Sequence, residues 1–420
     1  MLNRHITPQL IHLAKQFPVV TILGPRQSGK TTLARAAFPR HEYLNLESPP
    51  LRLAAQQDAL GFFKAHPSPL ILDEIQRVPE LLSHIQVMVD EQRQKGRFIL
   101  TGSHQPHLAA EISQSLAGRV GLLRLLPLSI AELAEAGLNL ERDDYLYQGF
   151  MPGVHAEGIE PDVFYRNYYQ TYVERDVRQL INITHQHAFE IFVRLLAGRV
   201  GQIVNLNSLA NDVGVSSTTL GTWLSVLEAS FIVFRLPRYF ENFGKRQIKA
   251  PKIYFSEVGL AAWLLGIETP AQAARDPLFG GLFENMVVVE AMKARLNAGR
   301  EAELYFFRDQ RGLEIDLIAR RGRRLLPIEI KGGMTYDPWF ARNLKAFLKL
   351  TNAGESPTVI YAGEQAAFAE GVEYANFRDT ARIIAALDGA EITSSTQAVR
   401  RGGGSVHDDQ EGATSGKQER

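Results

Sequence analysis

The chain has 420 residues, of which 45% are hydrophobic and 22% are charged, so it can bury substantial cores and is long enough for two to four domains. Lys plus Arg and Asp plus Glu both total 46, so overall charge gives no argument for a nucleic-acid partner, and any basic surface has to be local. The lack of cysteine excludes disulfides and thiolate metal sites. Because the N-terminal residues lack the apolar core of a signal peptide and no run of about 18 residues is continuously apolar, we expect no membrane partner and a cytoplasmic location.

The first informative stretch is VVTILGPRQSGKTTLARAAF, residues 19–38, in which a β-branched run, a glycine loop and a helix-like run follow one another. The segment GPRQSGKT, Gly24 to Thr31, fits the phosphate-loop pattern GxxxxGK[ST] at every specified position. A glycine-rich strand-to-helix turn with no ligand is the alternative, and the match of both the motif and its context makes the phosphate loop the favoured interpretation. The predicted nucleotide-binding residues are Gly24, Pro25, Arg26, Gln27, Ser28, Gly29, Lys30, Thr31 and Thr32.

The chemistry of such a loop explains its spacing. Glycines let the backbone wrap closely around phosphates, and the amide groups that lead into a helix supply positive potential. Lys30 adds a full charge near the β and γ phosphates, and the Thr31 hydroxyl is placed to bind Mg²⁺. The sequence therefore predicts ATP and Mg²⁺ as cofactors.

Acidic residues follow a second apolar run in PLILDEIQRVP, where Leu70 to Leu72 read as a buried parallel strand that ends in Asp73 and Glu74. We expect Asp73 to hold the magnesium through water and Glu74 to act as the general base for the attacking water. The alternative is an acidic helix start after a strand, where Asp and Glu are favoured for other reasons.

A third strand candidate, RFILTGS, runs from Arg97 to Ser103 and ends in small polar residues. With this strand the chain resembles the AAA+ class of ATPases, in which a polar residue at this place contacts the γ phosphate and the water. Ser103 or Thr101 matches that place. The resemblance also makes Arg119, in SLAGRVG, a candidate arginine finger that reaches the nucleotide of a neighbouring subunit in a homo-oligomer; a surface arginine that closes a helix is the alternative.

The middle of the chain is predicted to be helical up to about residue 200. Its aromatic-rich run, Val163 to Leu180, could stack bases, but the spacing places several rings on one helix face, so we interpret it as core.

Residues 206–240 have helix-turn-helix spacing followed by strand-like FIVFRLPRY, which predicts a winged helix. The second helix would present Ser217, Thr218, Thr219 and Thr222 to DNA but has almost no basic residues, and the basic residues come later, at Arg235, Arg238, Lys245, Arg246 and Lys249.

The C-terminal part begins with a predicted amphipathic helix, Phe279 to Leu296, which carries Glu284. Three strand-like runs follow, ELYFFRD, LEIDLIAR and LLPIEIK, and RGRR joins the last two as a hairpin. This arrangement brings Asp316 near Glu329 and Lys331, which alternation places on one face. Carboxylates and a lysine that converge in this way are what metal-assisted phosphodiester hydrolysis requires.

This pattern looks like the PD-(D/E)xK nuclease superfamily, with Glu284, Asp316, Glu329 and Lys331 on its four motif positions. The resemblance makes the three carboxylates metal ligands and Lys331 the motif lysine. The sequence departs from the pattern at Ile315, where a proline usually precedes the aspartate. The alternative is a hairpin whose acidic and basic residues form ordinary salt bridges.

Taken together, these segments resemble a prokaryotic group of AAA+ family ATPases with a winged helix and a C-terminal nuclease-like domain of unassigned function. The resemblance implies an α/β fold with a P-loop parallel sheet, a helical lid, a winged helix and a restriction-endonuclease-like α/β domain. The expected divisions are an ATPase domain (1–127), a helical segment (128–195), a winged helix (196–245), a nuclease-like domain (250–390) and a disordered tail (391–420).

Three functions are compatible with these features. The first is an ATP-hydrolysing enzyme that couples nucleotide state to the binding or processing of DNA or RNA. The second is an ATP-dependent regulatory switch with an inactive nuclease-like module that binds a protein partner. The third, a small-molecule kinase, shares the phosphate loop but explains neither the winged helix nor the distal acid cluster.

Overall fold

A computed structural model of the chain describes residues 2–103, 111–112, 114–177, 186–240, 250–351 and 357–389. The tail that we predict to be disordered, 391–420, lies outside the described residues, as do Lys245, Arg246 and Lys249. No helix within the described ranges is both long and apolar enough to cross a membrane.

The N-terminal part is built around a five-stranded sheet in which every neighbouring pair is parallel. Its strands are β1 (Val19–Gly24), β2 (Glu42–Asn45), β3 (Leu70–Asp73), β4 (Phe98–Ser103) and β5 (Val120–Arg124). Its helices are α1 (Thr7–Gln16), α2 (Lys30–Ala37), α3 (Pro49–Gln57), α4 (Ala59–Ala65) and α5 (Leu81–Glu91). The strand order β2-β3-β4-β1-β5 places β1 between β4 and β5, so the loop after β1 starts inside the sheet.

Alternation of side chains along the strands divides the apolar residues between the two faces of this sheet. Val20 and Ile22 of β1 pack with α1 and α2 on one face, whereas Val19 and Leu23 pack on the other face, in the core that also holds residues of α4 and α5. Because both faces are covered, the strands are apolar almost throughout, as parallel strands usually are. The three strands predicted around the phosphate loop, Asp73 and Ser103 are confirmed.

The middle of the chain is helical, as predicted. Its helices are α6 (Ile130–Glu135), α7 (Arg142–Gln148), α8 (Pro152–Ala156), α9 (Pro161–Tyr168) and α10 (Gln186–Ala197). The aromatic-rich run does not continue as one α-helix, because α9 is followed by a π-helical stretch over Tyr169–Val177. Several of its rings are buried, which confirms the core interpretation for that part: Phe164, Tyr165, Tyr168, Tyr169 and Tyr172.

A small antiparallel sheet follows, with two helices before its second strand. The elements are β6 (Gln202–Ile203), α11 (Leu206–Val213), α12 (Ser217–Ala229), β7 (Val233–Leu236) and β8 (Lys252–Phe255). The strand order is β6-β8-β7. Gly214 ends α11 in the left-handed conformation, and the Ser216 hydroxyl caps α12. The strand β8 lies beyond residue 245, where we expected this segment to end.

The C-terminal part contains a mixed six-stranded sheet. Its helices are α13 (Val258–Leu264), α14 (Pro270–Ala273), α15 (Phe279–Asn297), α16 (Arg342–Leu348) and α17 (Thr380–Leu387). Its strands are β9 (Leu304–Arg308), β10 (Glu314–Arg321), β11 (Arg324–Lys331), β12 (Thr358–Tyr361), β13 (Ala367–Ala369) and β14 (Val372–Asn376). The order is β13-β14-β12-β11-β10-β9, with β9, β10 and β11 antiparallel and β12 parallel to β11. The predicted helix and hairpin around Asp316 and Lys331 are confirmed.

The middle and C-terminal parts share one hydrophobic core, which runs from Leu128 to Leu387. Polar contacts also join them, because Lys293 of α15 donates to the carbonyl of Leu128 over 2.6 Å and Glu290 accepts from the amide of Ile130 over 2.9 Å. The buried Lys293–Glu290 pair therefore fixes α15 against the start of α6.

Candidate functional site

The phosphate loop is held in shape by contacts within the loop and from the N-terminus. Gly29 has φ of +91°, a conformation that side chains with a Cβ rarely adopt, and it precedes the first residue of α2. The hydroxyl of Ser28 donates to the carbonyl of Pro25 over 2.9 Å. A Cβ at Gly24 would lie 2.1 Å from the carbonyl oxygen of Leu125, so only glycine fits there.

Arg4 supports the same loop from a distant position in the sequence. Its guanidinium donates to the carbonyl of Ser28 over 2.7 Å, to the carbonyl of Leu126 over 2.7 Å and to Glu132 over 3.2 Å. Sequence reasoning missed Arg4, because no motif marks it. The buried guanidinium of Arg4 thus ties the loop to the segment that follows β5.

Lys30 lies folded into the loop in this structure. Its ammonium donates to the carbonyl oxygens of Gly24 (3.1 Å) and Pro25 (2.8 Å). Burial lowers the pKa of Lys30 to about 8, although the negative charges of Glu74 and Asp73 oppose that shift. The ammonium is therefore poorly solvated before any anion binds, which favours a bound phosphate as its partner.

Asp73 and Thr31 meet at the ends of β3 and the phosphate loop, as the sequence predicts. The Thr31 hydroxyl lies 2.9 Å from Oδ1 and 3.1 Å from Oδ2 of Asp73. Two further hydroxyls hold the same carboxylate: Tyr43 donates to Oδ2 over 2.8 Å and Thr101 donates to Oδ1. A hydroxyl beside a carboxylate is a donor set that suits Mg²⁺. Sequence reasoning missed Tyr43, which is on β2.

Glu74 follows β3 in the left-handed conformation, with φ of +57° and ψ of +49°. Its carboxylate accepts a hydrogen bond from the Gln76 amide, and the Ser103 hydroxyl lies 3.3 Å from its Oε2. Gln76 also donates to the Ser103 hydroxyl over 3.0 Å. The structure thus brings the predicted base together with the predicted γ-phosphate sensor, and Gln76 joins them. Thr101, the alternative sensor, lies by Asp73 instead.

Arg119 lies at the surface and forms a two-pronged ion pair with Asp90, at 2.6 and 2.7 Å. The lining of the cavity next to the phosphate loop does not include it. Within its own chain Arg119 is therefore not placed at the nucleotide site.

A cavity of about 390 Å³ opens beside the phosphate loop. On one side its lining is Arg26, Gln27, Gly29, Lys30, Thr31, Thr32, Glu47 and Glu74. On the other side, from α8, the connection to α9, α9 itself and the π-helical stretch, its lining is Pro152, Gly153, Glu157, Ile159, Phe164, Tyr168, Thr171 and Tyr172. The predicted residues Gly24, Pro25 and Ser28 do not line it; the carbonyls of Gly24 and Pro25 accept from Lys30.

Aromatic rings form part of the second wall, which the sequence did not assign to the nucleotide site. Tyr168 and Tyr172 pack edge to face with ring centres 5.4 Å apart, and the guanidinium of Arg26 lies 5.5 Å from the ring centre of Tyr172. The Tyr172 hydroxyl donates to the carbonyl of Ser230, at the end of α12, over 2.8 Å. The same ring therefore contacts the phosphate loop and the helix pair that precedes β7.

The C-terminal carboxylates and lysines also converge. The Lys331 ammonium lies 3.2 Å from Oδ2 of Asp316 and 2.5 Å from Oε2 of Glu329, and the amide of Ile330 donates to the same Asp316 oxygen over 2.9 Å. Three of the four predicted motif residues are thus in direct contact, and Asp316 influences the charge of the fourth, Glu284.

Residues from the small sheet complete this cluster. Lys252 of β8, which is almost fully buried, lies 2.8 Å from Oε1 of Glu284 and 2.7 Å from Oε1 of Glu314. The Tyr254 hydroxyl donates to Glu284 over 2.5 Å. Sequence reasoning missed Lys252 and Tyr254, because they are about thirty residues away from Glu284 along the chain.

Burial and charge shift the acidities of this cluster in opposite directions. Burial and the neighbouring Asp316 raise the pKa of Glu284 to about 7 and that of Glu329 to about 9. Burial alone would raise the pKa of Asp316 as well, but Lys331 and Lys252 outweigh it and lower that pKa. The lysines therefore favour the charged form of Asp316, while burial and the charge of Asp316 favour the protonated form of Glu329.

No group of three or more His, Asp or Glu side chains in the described part of the chain is arranged to hold a metal ion. In the C-terminal cluster each carboxylate has a lysine or tyrosine partner instead of facing a shared centre.

Three family models match successive parts of the chain. Residues 16–134 match a model described as an AAA domain. Residues 139–271 match a domain of unknown function (DUF8612), and residues 279–378 match another domain of unknown function (DUF4143). The AAA match covers the phosphate loop, Asp73, Glu74 and Ser103, so the expected AAA-like domain with its parallel sheet is confirmed.

Sequence similarity to known relatives covers most of the chain. An uncharacterized protein of Mycobacterium tuberculosis and one of Mycobacterium bovis are each 31% identical to it over 364 residues, which is 86% of this chain and 80% of each relative. The chain belongs to the family of these mycobacterial proteins. It is also similar to an uncharacterized protein of Haemophilus influenzae, at 24% identity, with 77% of this chain and 84% of that protein covered.

Parts of this chain are also similar to solved structures. The Walker-type ATPase of Pyrococcus abyssi is 14% identical, with 63% of this chain and 96% of that chain covered and a TM-score of 0.43. AMPPCP-bound DnaA from Aquifex aeolicus is 17% identical, with 53% of this chain and 85% of that chain covered and a TM-score of 0.28.

Proposed function

We propose that the chain hydrolyses ATP in the cavity beside the phosphate loop and that the bound nucleotide controls the binding or processing of nucleic acid by the rest of the chain. The observation that carries the ATPase proposal is the meeting of Thr31 with Asp73 at one end of the loop that holds Lys30. These residues supply what phosphoryl transfer to water needs: a cation for the phosphates, a metal-binding pair and, in Glu74, a base.

Each group has a distinct task in this proposal. The amide groups of the loop and the Lys30 ammonium bind the phosphates, and Glu74 accepts a proton from the attacking water. Ser103, in contact with both Glu74 and Gln76, positions that carboxylate and senses the γ phosphate. Thr31 and Asp73 would hold Mg²⁺, which neutralises charge on the phosphates when it is bound.

The aromatic wall suits the base of the nucleotide. Tyr168, Tyr172 and Phe164 face the phosphate loop across the cavity, and flat rings offer stacking surface to adenine. Since the Tyr172 hydroxyl also donates to the carbonyl of Ser230, a nucleotide in this cavity would contact a side chain that is hydrogen-bonded to the end of α12.

The ATPase proposal is tested by replacing the loop lysine. We expect purified Lys30→Ala to lose magnesium-dependent ATP hydrolysis, measured as phosphate release, because the charge on the phosphates is no longer neutralised. Lys64→Ala, which changes an exposed lysine on α4, serves as the matched control and should keep full turnover. Full turnover in Lys30→Ala would show that hydrolysis takes place elsewhere.

The nucleic-acid part of the proposal draws support from two arrangements. The order α10, β6, α11, α12, β7, β8, with β8 between the other two strands, is compatible with a winged helix. Ser217, Thr218, Thr219 and Thr222 belong to α12, the helix that would face DNA. In the C-terminal part, the contact of Lys331 with Asp316 and Glu329 supports a nuclease-like module that cuts or grips DNA or RNA.

A regulatory switch is the second candidate, and the lysine pairing of the acid cluster favours it. Lys252 pairs with Glu284, and Lys331 pairs with Asp316 and Glu329, which suits a module that binds a partner without cleaving. Magnesium-dependent cleavage of labelled DNA or RNA that disappears in Asp316→Ala and Lys331→Ala would decide for the nuclease. Intact substrates across single- and double-stranded forms would decide for the switch.

Arg119 could contribute to ATP hydrolysis only in an oligomer, at the nucleotide of a neighbouring subunit. If subunits assemble, Arg119 would have to leave Asp90 to reach a neighbour's nucleotide. Arg119→Ala should then lower ATP turnover only at protein concentrations at which the chain self-associates, as sedimentation would show.

A further inference from the structure

An open groove of about 810 Å³ lies at one end of the C-terminal sheet. It is formed by the turn between β9 and β10, the short 3₁₀ turn over Pro338–Ala341, and α16. We call it the Trp339 groove, and the residues used below are Arg311, Leu313, Trp339, Arg342, Lys349 and Leu350.

Trp339 is the most conspicuous part of this groove. Its side chain is 66% exposed, and Leu350 next to it is 59% exposed. The backbone amide of Trp339 donates to Asp337 over 2.8 Å, and the guanidinium of Arg342 lies 4.8 Å from the centre of the indole ring. An exposed indole is a flat surface on which another ring can stack.

The charged groups around the ring are predominantly positive. Arg311, Arg342 and Lys349 have no acidic partner among the residues that the structure describes, whereas Lys345 pairs with Glu370. The two acidic residues of the groove accept hydrogen bonds from nearby backbone amides. Asp309 accepts from the amides of Arg311 and Leu313, and Asp337 accepts from the amide of Trp339. The groove therefore presents three cations around an aromatic face, in a chain with no net charge.

We propose that the Trp339 groove binds single-stranded nucleic acid, with a base stacked on Trp339 and phosphates held by Arg311, Arg342 and Lys349. Proteins that bind single strands combine an aromatic platform with nearby cations in this way. The groove includes Leu313, which directly precedes β10, the strand that carries Glu314 and Asp316.

An acidic protein segment is the competing occupant. It would satisfy the cations, but it has no flat ring for the exposed indole, and the stacked Arg342 would interact with it through charge alone. A nucleic acid uses both features of the groove. The inference rests on the proposed link between this chain and nucleic acid and adds the place and the strandedness of the ligand.

The test measures binding of a fluorescein-labelled oligothymidine of about 20 nucleotides to the full chain by fluorescence anisotropy. We expect Trp339→Ala to weaken binding roughly tenfold or more, because the base can no longer stack on an aromatic ring. Phe368→Ala is the matched control, since Phe368 is 69% exposed in the same sheet but lies outside the groove, and it should bind as the unchanged chain does.

The charges are tested separately. Arg342→Glu and Lys349→Glu should weaken binding and reduce the dependence of log Kd on log salt by roughly one for each phosphate that the groove no longer holds, whereas Lys64→Glu on α4 should do neither. A poly-glutamate peptide of similar length is added as competitor. The inference is overturned if Trp339→Ala and Phe368→Ala bind alike, if the chain binds no oligothymidine at low salt, or if the peptide binds the groove more tightly than the oligonucleotide.

These outcomes are distinguishable from failure of the ATPase proposal. Lys30→Ala should bind the oligonucleotide normally without ATP, because Lys30 belongs to another part of the fold. If the chain binds the oligonucleotide through Trp339 but hydrolyses no ATP, the groove proposal is supported and the ATPase proposal is refuted. If the chain hydrolyses ATP but binds no nucleic acid, the ATPase proposal is supported and the groove proposal is refuted.

Discussion

The hydroxyl of Thr31 lies 2.9 Å from Oδ1 of Asp73, although the two residues are 42 positions apart in the sequence. The parallel sheet produces this contact, since β1 and β3 both point their carboxyl ends to the same edge and β4 lies between them. Tyr43 donates a hydrogen bond to Oδ2 of the same carboxylate and Thr101 donates one to Oδ1, so the Asp73 side chain is held in place before any ligand binds.

Asp73→Asn should lower ATP turnover by roughly two orders of magnitude. The amide keeps the size of the side chain but removes the negative charge that a magnesium ion needs. Phosphate release measured across a magnesium titration checks this. Tyr43→Phe, which removes one hydroxyl but keeps the carboxylate, should lose far less activity, and equal losses in the two variants would contradict the metal role of Asp73.

Glu74→Gln should bind ATP but hydrolyse it about 100-fold more slowly, because the amide cannot accept a proton from water. Single-turnover hydrolysis and equilibrium binding of a labelled nucleotide separate the two effects. Glu47→Gln is the matched control, because Glu47 lines the same cavity and is 45% exposed. A Glu74→Gln variant that turned over normally would remove Glu74 from the role of base.

The aromatic wall predicts a difference between nucleotides and simple phosphates. Tyr168→Ala should raise the KM for ATP about tenfold, because the base then has one ring fewer to pack against, yet leave the binding of inorganic tripolyphosphate unchanged. Tyr168→Phe keeps the ring and should behave as the unchanged chain. If ATP and tripolyphosphate weaken equally, the tyrosine supports the loop and does not contact the base.

Proton uptake should accompany ATP binding at about pH 9. Burial lowers the pKa of Lys30 to about 8, so the free protein holds this lysine mostly neutral at that pH, and a triphosphate beside it would raise the pKa again. Calorimetry in two buffers of different ionisation enthalpy measures the proton. Lys30→Arg, whose guanidinium stays charged, should take up none, and the uptake should disappear below about pH 7 in the unchanged chain.

Lys252→Met should destabilise the chain by about 3 kcal/mol, because Glu284 and Glu314 would lose a cation that is buried between them. Chemical denaturation measures the change. Adding Glu284→Gln should recover part of the loss, since one unpaired charge is removed. Arg382→Met, which breaks an exposed pair with Glu373, should cost less than about 1 kcal/mol.

The sequence predicted the elements that carry motifs, because local patterns determine them. The apolar runs before Gly24, Asp73 and Ser103 become parallel strands whose carboxyl ends meet, so the site residues could be grouped without coordinates. The hairpin between β10 and β11 was also predictable, since glycine is favoured in such short turns. In the structure Gly322 has φ of +59° at this turn, and the register of the hairpin brings Asp316 beside Glu329 and Lys331.

Contributions from distant elements could not be predicted. Arg4, Tyr43 and Lys252 each reach a site from an element that carries no motif, and only the packing of the elements decides which buried polar group they meet. Tyr168 and Tyr172 were interpreted as core from their spacing. They are buried, but they also line the cavity, and periodicity cannot distinguish a ring that touches the core on one side from a ring that is enclosed on all sides.

The hydrophobic core that runs from Leu128 to Leu387 limits which segments of this chain evolution can exchange independently. A recombination event that exchanged only the last sheet, or only the helix pair, would leave the buried faces of the remainder without their matching partners. Everything from residue 128 onward is therefore expected to be inherited as a single block, and an exchange at the border near residue 127 would also have to preserve the fit of Arg4 to Glu132.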